Sequence, residues 1–306
     1  MKIVIAGGTG FLGRPLAGSL AADGHDVVVL TRGHDAARAV RLRSVPWAPD
    51  GAVGAWGSEV DGAGAVINLA GESIAAKRWT AAQKQRIADS RMRATRSLAT
   101  AIRAARTPPP VLVSGSAVGY YGPLSAQPAT EETAPGTDFL ARVCVQWEDE
   151  AMAAGGDRTR VVRIRTGLVL ERDGGALPQM LPPFRFGAGG PVGSGRQYWP
   201  WIHRDDWIAL VRWAIQTPVV SGPLNVTAPH PVTSADFARA LGRAMHRPAF
   251  MPAPAFALRL MLGEMADALL LSGQNAVPAK ALREGFQFRY SDLDEALAAI
   301  FARPRG

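Results

Sequence analysis

Apolar positions near the start of the chain come in unbroken runs rather than in alternation. Ile3-Val4-Ile5-Ala6 is followed by Gly7-Gly8-Thr9-Gly10-Phe11-Leu12-Gly13, then by a helical pattern over residues 14–22 that Gly24 ends, then by Val27-Val28-Val29-Leu30. Continuous apolar runs of this length mark strands buried on both faces. Strand, glycine turn, helix, strand is the opening unit of a parallel, doubly wound sheet. Residues 65–70 and 111–114 predict further central strands, with a long amphipathic helix over 80–106 between them. Residues 161–170 predict one more buried strand, and the helix before it carries Trp147 and Glu148.

After Leu170 the texture changes. Gly174-Gly175, Pro178, Pro182-Pro183, Gly187, Gly189-Gly190, Gly193 and Gly195 predict a loop-rich segment. Helical patterns follow over 235–245, 256–271 and 293–301. The expected fold is an α/β, Rossmann-type doubly wound parallel sheet over 1–170 with a smaller, substrate-side lobe over 171–306. Residues 203–228 are open to either.

The glycine turn carries the first chemistry. Gly7, Gly10 and Gly13 stand between a predicted strand and a predicted helix, the context a dinucleotide site requires. Gly7 permits the tight turn, Gly10 lets backbone approach a pyrophosphate, and Gly13 lets helix and strand pack closely. The helix start offers free N–H groups and partial positive charge. Thr9, Phe11 and Leu12 belong to the same loop. At the end of the second strand an NAD site usually places Asp or Glu against the ribose 2′-hydroxyl. Here Thr31-Arg32 stands instead, and a guanidinium forks well onto a 2′-phosphate. NADP(H) is therefore expected over NAD(H), the alternative being a solvated loop arginine.

Composition adds exclusions. With 306 residues, 47% hydrophobic and 20% charged, the chain has the makeup of a packed domain rather than a disordered one. The net charge of +8 comes from 34 basic against 26 acidic residues. Lysine stands only at Lys2, Lys77, Lys84 and Lys280, so arginine supplies the rest. No basic run marks a nucleic-acid tail, and no nucleic-acid partner is expected. Cys144 is the lone cysteine, which removes intrachain disulfides and cysteine-based metal sites. The apolar stretch 256–271 is interrupted by Arg259, Glu264 and Asp267, too short and too charged for a membrane helix. A soluble cytoplasmic protein acting on a small molecule, without a membrane partner, is the expectation. The sequence leaves its oligomeric state open.

Gly7–Gly13, Asn68-Leu69-Ala70-Gly71 and 114–122 (Ser-Gly-Ser-Ala-Val-Gly-Tyr-Tyr-Gly) resemble the extended short-chain dehydrogenase/reductase superfamily. The chain more closely resembles its atypical branch, the sugar-nucleotide epimerase-like proteins with a C-terminal domain of unknown function. Arg78-Trp79-Thr80, Ser90-Arg91, Trp147-Glu148, 165–170, 193–197 and 201–206 carry that resemblance along the chain, as does Gly285-Phe286. It implies that Asn68, Leu69 and Ala70 run beneath the adenosine or its ribose, that Arg91 reaches the cofactor, and that Val169 lies near the nicotinamide. For Arg91 a salt-bridged place on the helix surface is the equal alternative.

Working members of that superfamily pair Tyr and Lys as Tyr-x-x-x-Lys, the lysine lowering the phenol's pKa. This sequence has no lysine between Lys84 and Lys280 and no tyrosine over 138–148, where Phe139, Leu140 and Cys144 stand. The usual dyad is absent. Ser116, at a strand end, matches the superfamily's serine, and Tyr120 or Tyr121 could donate a proton if a neighbouring arginine lowers its pKa. Otherwise Ser116 is a turn hydroxyl and the tyrosines are pocket walls. Arg196 and Gln197, in a glycine-flanked loop, are candidates for an anionic substrate group. His203, Asp205 and Asp206 do not make a convincing metal set, and Asp206 reads as a helix cap before Trp207. Tyr198, Trp199 and Trp201 read as an aromatic wall, a lobe interface or core. The expectation is an NADP(H)-binding oxidoreductase or epimerase-like protein, with a non-catalytic NADP(H)-binding regulator as the alternative.

Overall fold

Five apolar-rich residues begin the sheet, and the chain then alternates strand and helix. The computed structural model describes residues 1–33, 42–124 and 126–302. In chain order the elements are β1 (Lys2–Ala6), α1 (Gly13–Ala22), β2 (Asp26–Thr31), β3 (Arg43–Pro46), β4 (Ala65–Asn68), α2 (Ala81–Ala104), β5 (Val111–Ala117), β6 (Pro128–Ala129), α3 (Phe139–Met152), β7 (Arg160–Thr166), β8 (Leu168–Leu170) and α4 (Leu177–Arg185). There follow β9 (Tyr198–Trp199), β10 (Trp201–His203), α5 (Arg204–Gln216), β11 (Gly222–Val226), β12 (Val232–Thr233), α6 (Ser234–Met245), α7 (Ala255–Leu262), β13 (Asn275–Ala276), α8 (Ala279–Arg283) and α9 (Leu293–Ala302). No helix among the described residues is long and apolar enough to cross a membrane.

The chain forms two units. The first comprises Met1–Ser116, Val143–Ile164 and Ile208–Leu224, and the second Ala117–Arg142, Arg165–Trp207 and Asn225–Gly306. The seven-stranded sheet runs β11-β7-β5-β4-β1-β2-β3. β1 lies between β2 and β4 and is parallel to both, with Ala6 opposite Leu30 on one side and Asn68 on the other. Successive strands step outward from β1 to β3, and the chain then returns to β4 on β1's other flank. The carboxyl ends of β1 and β4 are therefore a topological switch point, where open α/β sheets bind ligands. Ile3, Val4, Ile5, Val28, Val66 and Ile67 are fully buried there, which accounts for their unbroken apolar runs. At the start of α2 the Thr80 hydroxyl accepts from the Gln83 N–H and caps the helix.

The second unit builds its core from Leu170, Leu181, Phe184, Trp199, Trp201, Phe237, Leu241, Leu297 and Ile300. Trp199 and Trp201 thus lie in the core. Four expectations change here. The 161–170 strand is two strands, because Gly167 turns the chain. Its N–H donates to Val226 O, and a Cβ on it would lie 2.4 Å from Pro200 O. The loop-rich segment contains α4: Pro178 sits in its first turn, where no N–H is needed, and Leu177, Leu181 and Phe184 bury one face. The 256–271 helix stops at Leu262, because Gly263 adopts φ +63° and starts a new, short helical segment. Asp206 is not a cap. It lies inside α5, and its carboxylate accepts the N–H groups of Arg289 (2.9 Å) and Tyr290 (2.8 Å).

Candidate functional site

At the switch point the glycines differ in what restrains them. Gly7 has φ +81°, and a Cβ there would sit 2.6 Å from the Leu69 carbonyl carbon; one on Gly13 would sit 2.2 Å from Gly7 O. Those two glycines are demanded by the chain's own backbone. At Gly10 the nearest atom to a Cβ is Gly7 O at 3.4 Å, an ordinary contact, so no described residue crowds the space beside it. α1 begins at Gly13 after Leu12, with no side-chain cap and no acidic residue in its first turn. An uncapped helix start beside an open glycine is a ready anion site, and it fits a dinucleotide's diphosphate.

Asn68 is fully buried. Its Nδ2 donates to Thr95 Oγ1 (2.8 Å) and its Oδ1 accepts from Ala70 N–H (3.2 Å). Its side chain therefore shapes the Leu69–Ala70 backbone that closes against Gly7. At the end of β2, Thr31 Oγ1 donates to Gly33 O (3.2 Å), and Arg32 is exposed with no carboxylate beside it in sequence. Gly71 abuts Arg91, whose Nη1 donates to Glu72 O and Ile87 O, each at 3.0 Å. The same guanidinium lies 5.1 Å from the centre of the Trp147 ring. Burial pulls the Arg91 pKa down, against the opposing pull of Cys144 and Glu72. Arg91 is thus neither on the helix surface nor salt-bridged there; it braces the loop after β4.

Ser116 is 4% exposed, and its hydroxyl donates to Glu148 Oε1 at 2.7 Å. Glu148 is 2% exposed, and its other oxygen accepts from Arg163 Nη1 at 3.3 Å. Immediately before Ser116, Gly115 has no room for a Cβ, which would meet the Trp147 ring at 2.8 Å. Ser116 is therefore not a turn hydroxyl; it is the end of a buried chain of polar contacts joining β5, α3 and β7.

Residues 3–226 match the model of the NAD dependent epimerase/dehydratase family, and residues 253–300 match DUF1731, a domain of unknown function. The chain belongs to that epimerase/dehydratase family. Among its relatives is the Bacillus subtilis epimerase family protein YfhF, 41% identical over 303 residues covering 99% of this chain and 98% of that protein. A crystal structure of the human epimerase family protein SDR39U1 with NADPH superimposes with TM-score 0.90 at 36% identity, covering 98% of this chain and 99% of that one. A nucleoside-diphosphate sugar epimerase from Corynebacterium glutamicum superimposes with TM-score 0.79 at 30% identity, covering 98% of this chain and 58% of that one. The α/β, Rossmann-type expectation therefore holds, and the fold is one that binds a nicotinamide cofactor.

In the second unit of this epimerase-family chain, the tyrosines form a separate network. The Tyr121 hydroxyl donates to Asn225 Oδ1 (2.6 Å) and accepts from Arg165 Nη1 (3.1 Å). The Arg165 guanidinium lies 3.4 Å from the centre of the Tyr120 ring. The expected arginine is present and pulls the Tyr121 pKa down, but burial outweighs it and the phenol is pushed up to about 12. Gln197 Nε2 donates to Val192 O (3.0 Å) and Leu270 O (2.7 Å), so its amide braces the loop on which exposed Arg196 stands. Val169 is buried in β8 opposite Ile202. No group of three His, Cys, Asp or Glu residues among the described residues could hold a metal.

From sequence, no site role was read for Glu148, Arg163, Arg165, Asn225 or Glu131. Glu131 is buried, and its carboxylate accepts from the Asn225 and Lys280 N–H groups. One signal was available: Arg163 and Arg165 interrupt an otherwise apolar strand pattern, and a buried cation needs a partner.

Proposed function

We propose that this protein is an NADP(H)-dependent oxidoreductase or epimerase-like enzyme whose substrate is a small polar alcohol or carbonyl compound, with nucleotide-linked sugars the leading class. One observation carries the proposal: the uncapped start of α1 beside open Gly10, followed after β2 by Thr31-Arg32 in place of a carboxylate. The Thr9–Gly13 turn and the start of α1 would cradle the diphosphate, Gly10 by leaving it room, since its own N–H donates to Gly7 O, and Arg32 would meet the 2′-phosphate. Leu69, Ala70 and Gly71 would line the rest of the cofactor, with Asn68 and Arg91 fixing the loop beneath it. When bound, the nicotinamide supplies or takes up a hydride. Ser116 would orient the reacting oxygen. The human relative crystallised with NADPH and the sugar-nucleotide epimerase from C. glutamicum support the cofactor and substrate class.

Isothermal titration with NADPH and NADH, followed by absorbance measurements of NADPH oxidation or NADP⁺ reduction with sugar nucleotides and simple carbonyls or alcohols, tests the proposal. NADPH bound at least about tenfold more tightly than NADH, with turnover of one substrate, supports it; no heat with either nucleotide defeats it.

A non-catalytic NADP(H)-binding regulator is the second reading. It is favoured by the missing Tyr–Lys pair and by Tyr121, whose hydroxyl is committed to Asn225 and Arg165. Tight NADPH binding without turnover of any substrate would favour it.

A further inference from the structure

Ser116 meets an acceptor-only partner. An ionised carboxylate can only accept, so the bond from Ser116 Oγ to Glu148 Oε1 at 2.7 Å commits the serine's proton to Glu148. What remains on the serine oxygen is lone-pair capacity, which suits a hydroxyl that donates to it. Behind it, Arg163 reaches the other carboxylate oxygen at 3.3 Å, and Glu148 is 2% exposed. Buried ion pairs contribute little net stability, so packing alone is a weak reason for this one. On α3, Leu140, Cys144 and Glu148 are spaced four apart and share a face, so the helix lacking tyrosine and lysine brings a carboxylate to the serine one turn later.

We infer that Glu148 is the positioning residue that makes Ser116 a proton acceptor, and that Ser116 and Glu148 together take the place of the missing Tyr–Lys pair. This inference rests on the enzyme reading above. A substrate alcohol donates its O–H to Ser116 Oγ. As the carbinol C–H bond breaks and its electron pair leaves with the hydrogen to the oxidised nicotinamide, the substrate proton passes to Ser116 Oγ. The serine's own proton passes to Glu148 Oε1 and a C=O bond forms. The alcohol is oxidised, the nicotinamide is reduced, and Glu148 ends protonated beside Arg163. Reduction is the same path in reverse.

The full-length protein with NADP⁺ and two probes, UDP-glucose and 1-phenylethanol, provides the test. Wild type, Glu148→Gln, Glu148→Asp, Ser116→Ala and the Ser116→Ala/Glu148→Gln double variant are compared by single-turnover and steady-state reduction of NADP⁺ across pH. Infrared spectra of the nucleotide-free proteins are compared in the carboxyl region. Glu148→Gln should lower kcat about a hundredfold with little change in KM. Glu148→Asp should recover part of the rate. Ser116→Ala should match Glu148→Gln, the double variant should be no worse than either, and the Glu148 carboxylate band should shift in Ser116→Ala. Wild-type kcat in Glu148→Gln would overturn the inference alone. So would an unshifted band, or a rate loss that only tracks lost NADPH affinity or melting temperature without rescue by Asp. A wild type that binds NADPH but turns over neither probe would overturn the enzyme reading and this inference together.

Discussion

Arg165 lies over the ring of Tyr120, its guanidinium carbon 3.4 Å from the ring centre, while its Nη1 donates to the Tyr121 hydroxyl at 3.1 Å. One cation thus serves both tyrosines of the Val-Gly-Tyr-Tyr segment. A buried phenol with a donor and an acceptor already engaged is a structural group, and burial holds its pKa at about 12 against an ordinary 10.0. The unfolded chain releases this proton first as pH rises, and the native protein releases it later. The stability due to the neutral phenol is therefore complete below pH 10 and is lost as pH rises toward 12. Tyr121→Phe should remove that alkaline loss. It should also cost about 1–3 kcal/mol at neutral pH, because Arg165 and Asn225 each lose a partner. Urea denaturation at several alkaline pH values checks both effects, and NADPH affinity should be unchanged.

Gly10 and Gly13 should separate binding from folding. A Cβ at Gly13 would stand 2.2 Å from Gly7 O, so Gly13→Ala must displace backbone and lower the melting temperature by many degrees. A Cβ at Gly10 meets only ordinary contact at 3.4 Å. Gly10→Ala should melt within a few degrees of wild type yet bind NADPH at least about tenfold more weakly, since the added methyl occupies the space left for the diphosphate. Paired melting and titration measurements decide; equal NADPH affinity in Gly10→Ala would remove the glycine turn from the cofactor site.

How much of this was legible in sequence follows from how far apart the partners lie. The strand, glycine turn and helix at the start are set by residues within a few positions of one another. Their period appears on the page of letters. Ser116 and Glu148 are 32 residues apart, Tyr121 and Asn225 are 104 apart, and no local pattern announces such pairs. α4 was hidden by Pro182 and Pro183, which read as breakers although Leu181 and Phe184 bury its inner face. The break at Gly263 was hidden because the helical pattern resumes at Met265, just past Glu264. Arg91 was left between two roles because its actual partners are backbone carbonyls, which the sequence cannot name.

Arg32 should set cofactor preference. It is exposed at the end of β2, with no acidic side chain beside it in sequence to repel a 2′-phosphate. A charged hydrogen bond contributes about 1.5–3 kcal/mol, so Arg32→Ala should weaken NADPH binding by about 10- to 100-fold and leave NADH binding nearly unchanged. Titration of both nucleotides on both proteins measures it. Equal losses for the two would place Arg32 away from the 2′-phosphate.

Asp206 should prove to be a folding residue with no part in chemistry. Its two carboxylate oxygens take the N–H groups of Arg289 and Tyr290, tying α5 to the segment before α9, and the ring of His203 stacks on Tyr290 with centres 4.0 Å apart. Burial raises the Asp206 pKa despite those two bonds. The native protein therefore takes up this proton at a higher pH than the unfolded chain does, so acidification through the carboxylate range adds relative stability through this group. Asp206→Ala leaves two backbone donors without their acceptor and should cost about 2–4 kcal/mol, whereas Asp206→Asn keeps one acceptor oxygen and should cost less. Thermal melts of the two variants, with NADPH affinity measured alongside, separate this from a catalytic role. Lost turnover in a variant that melts like wild type would contradict it.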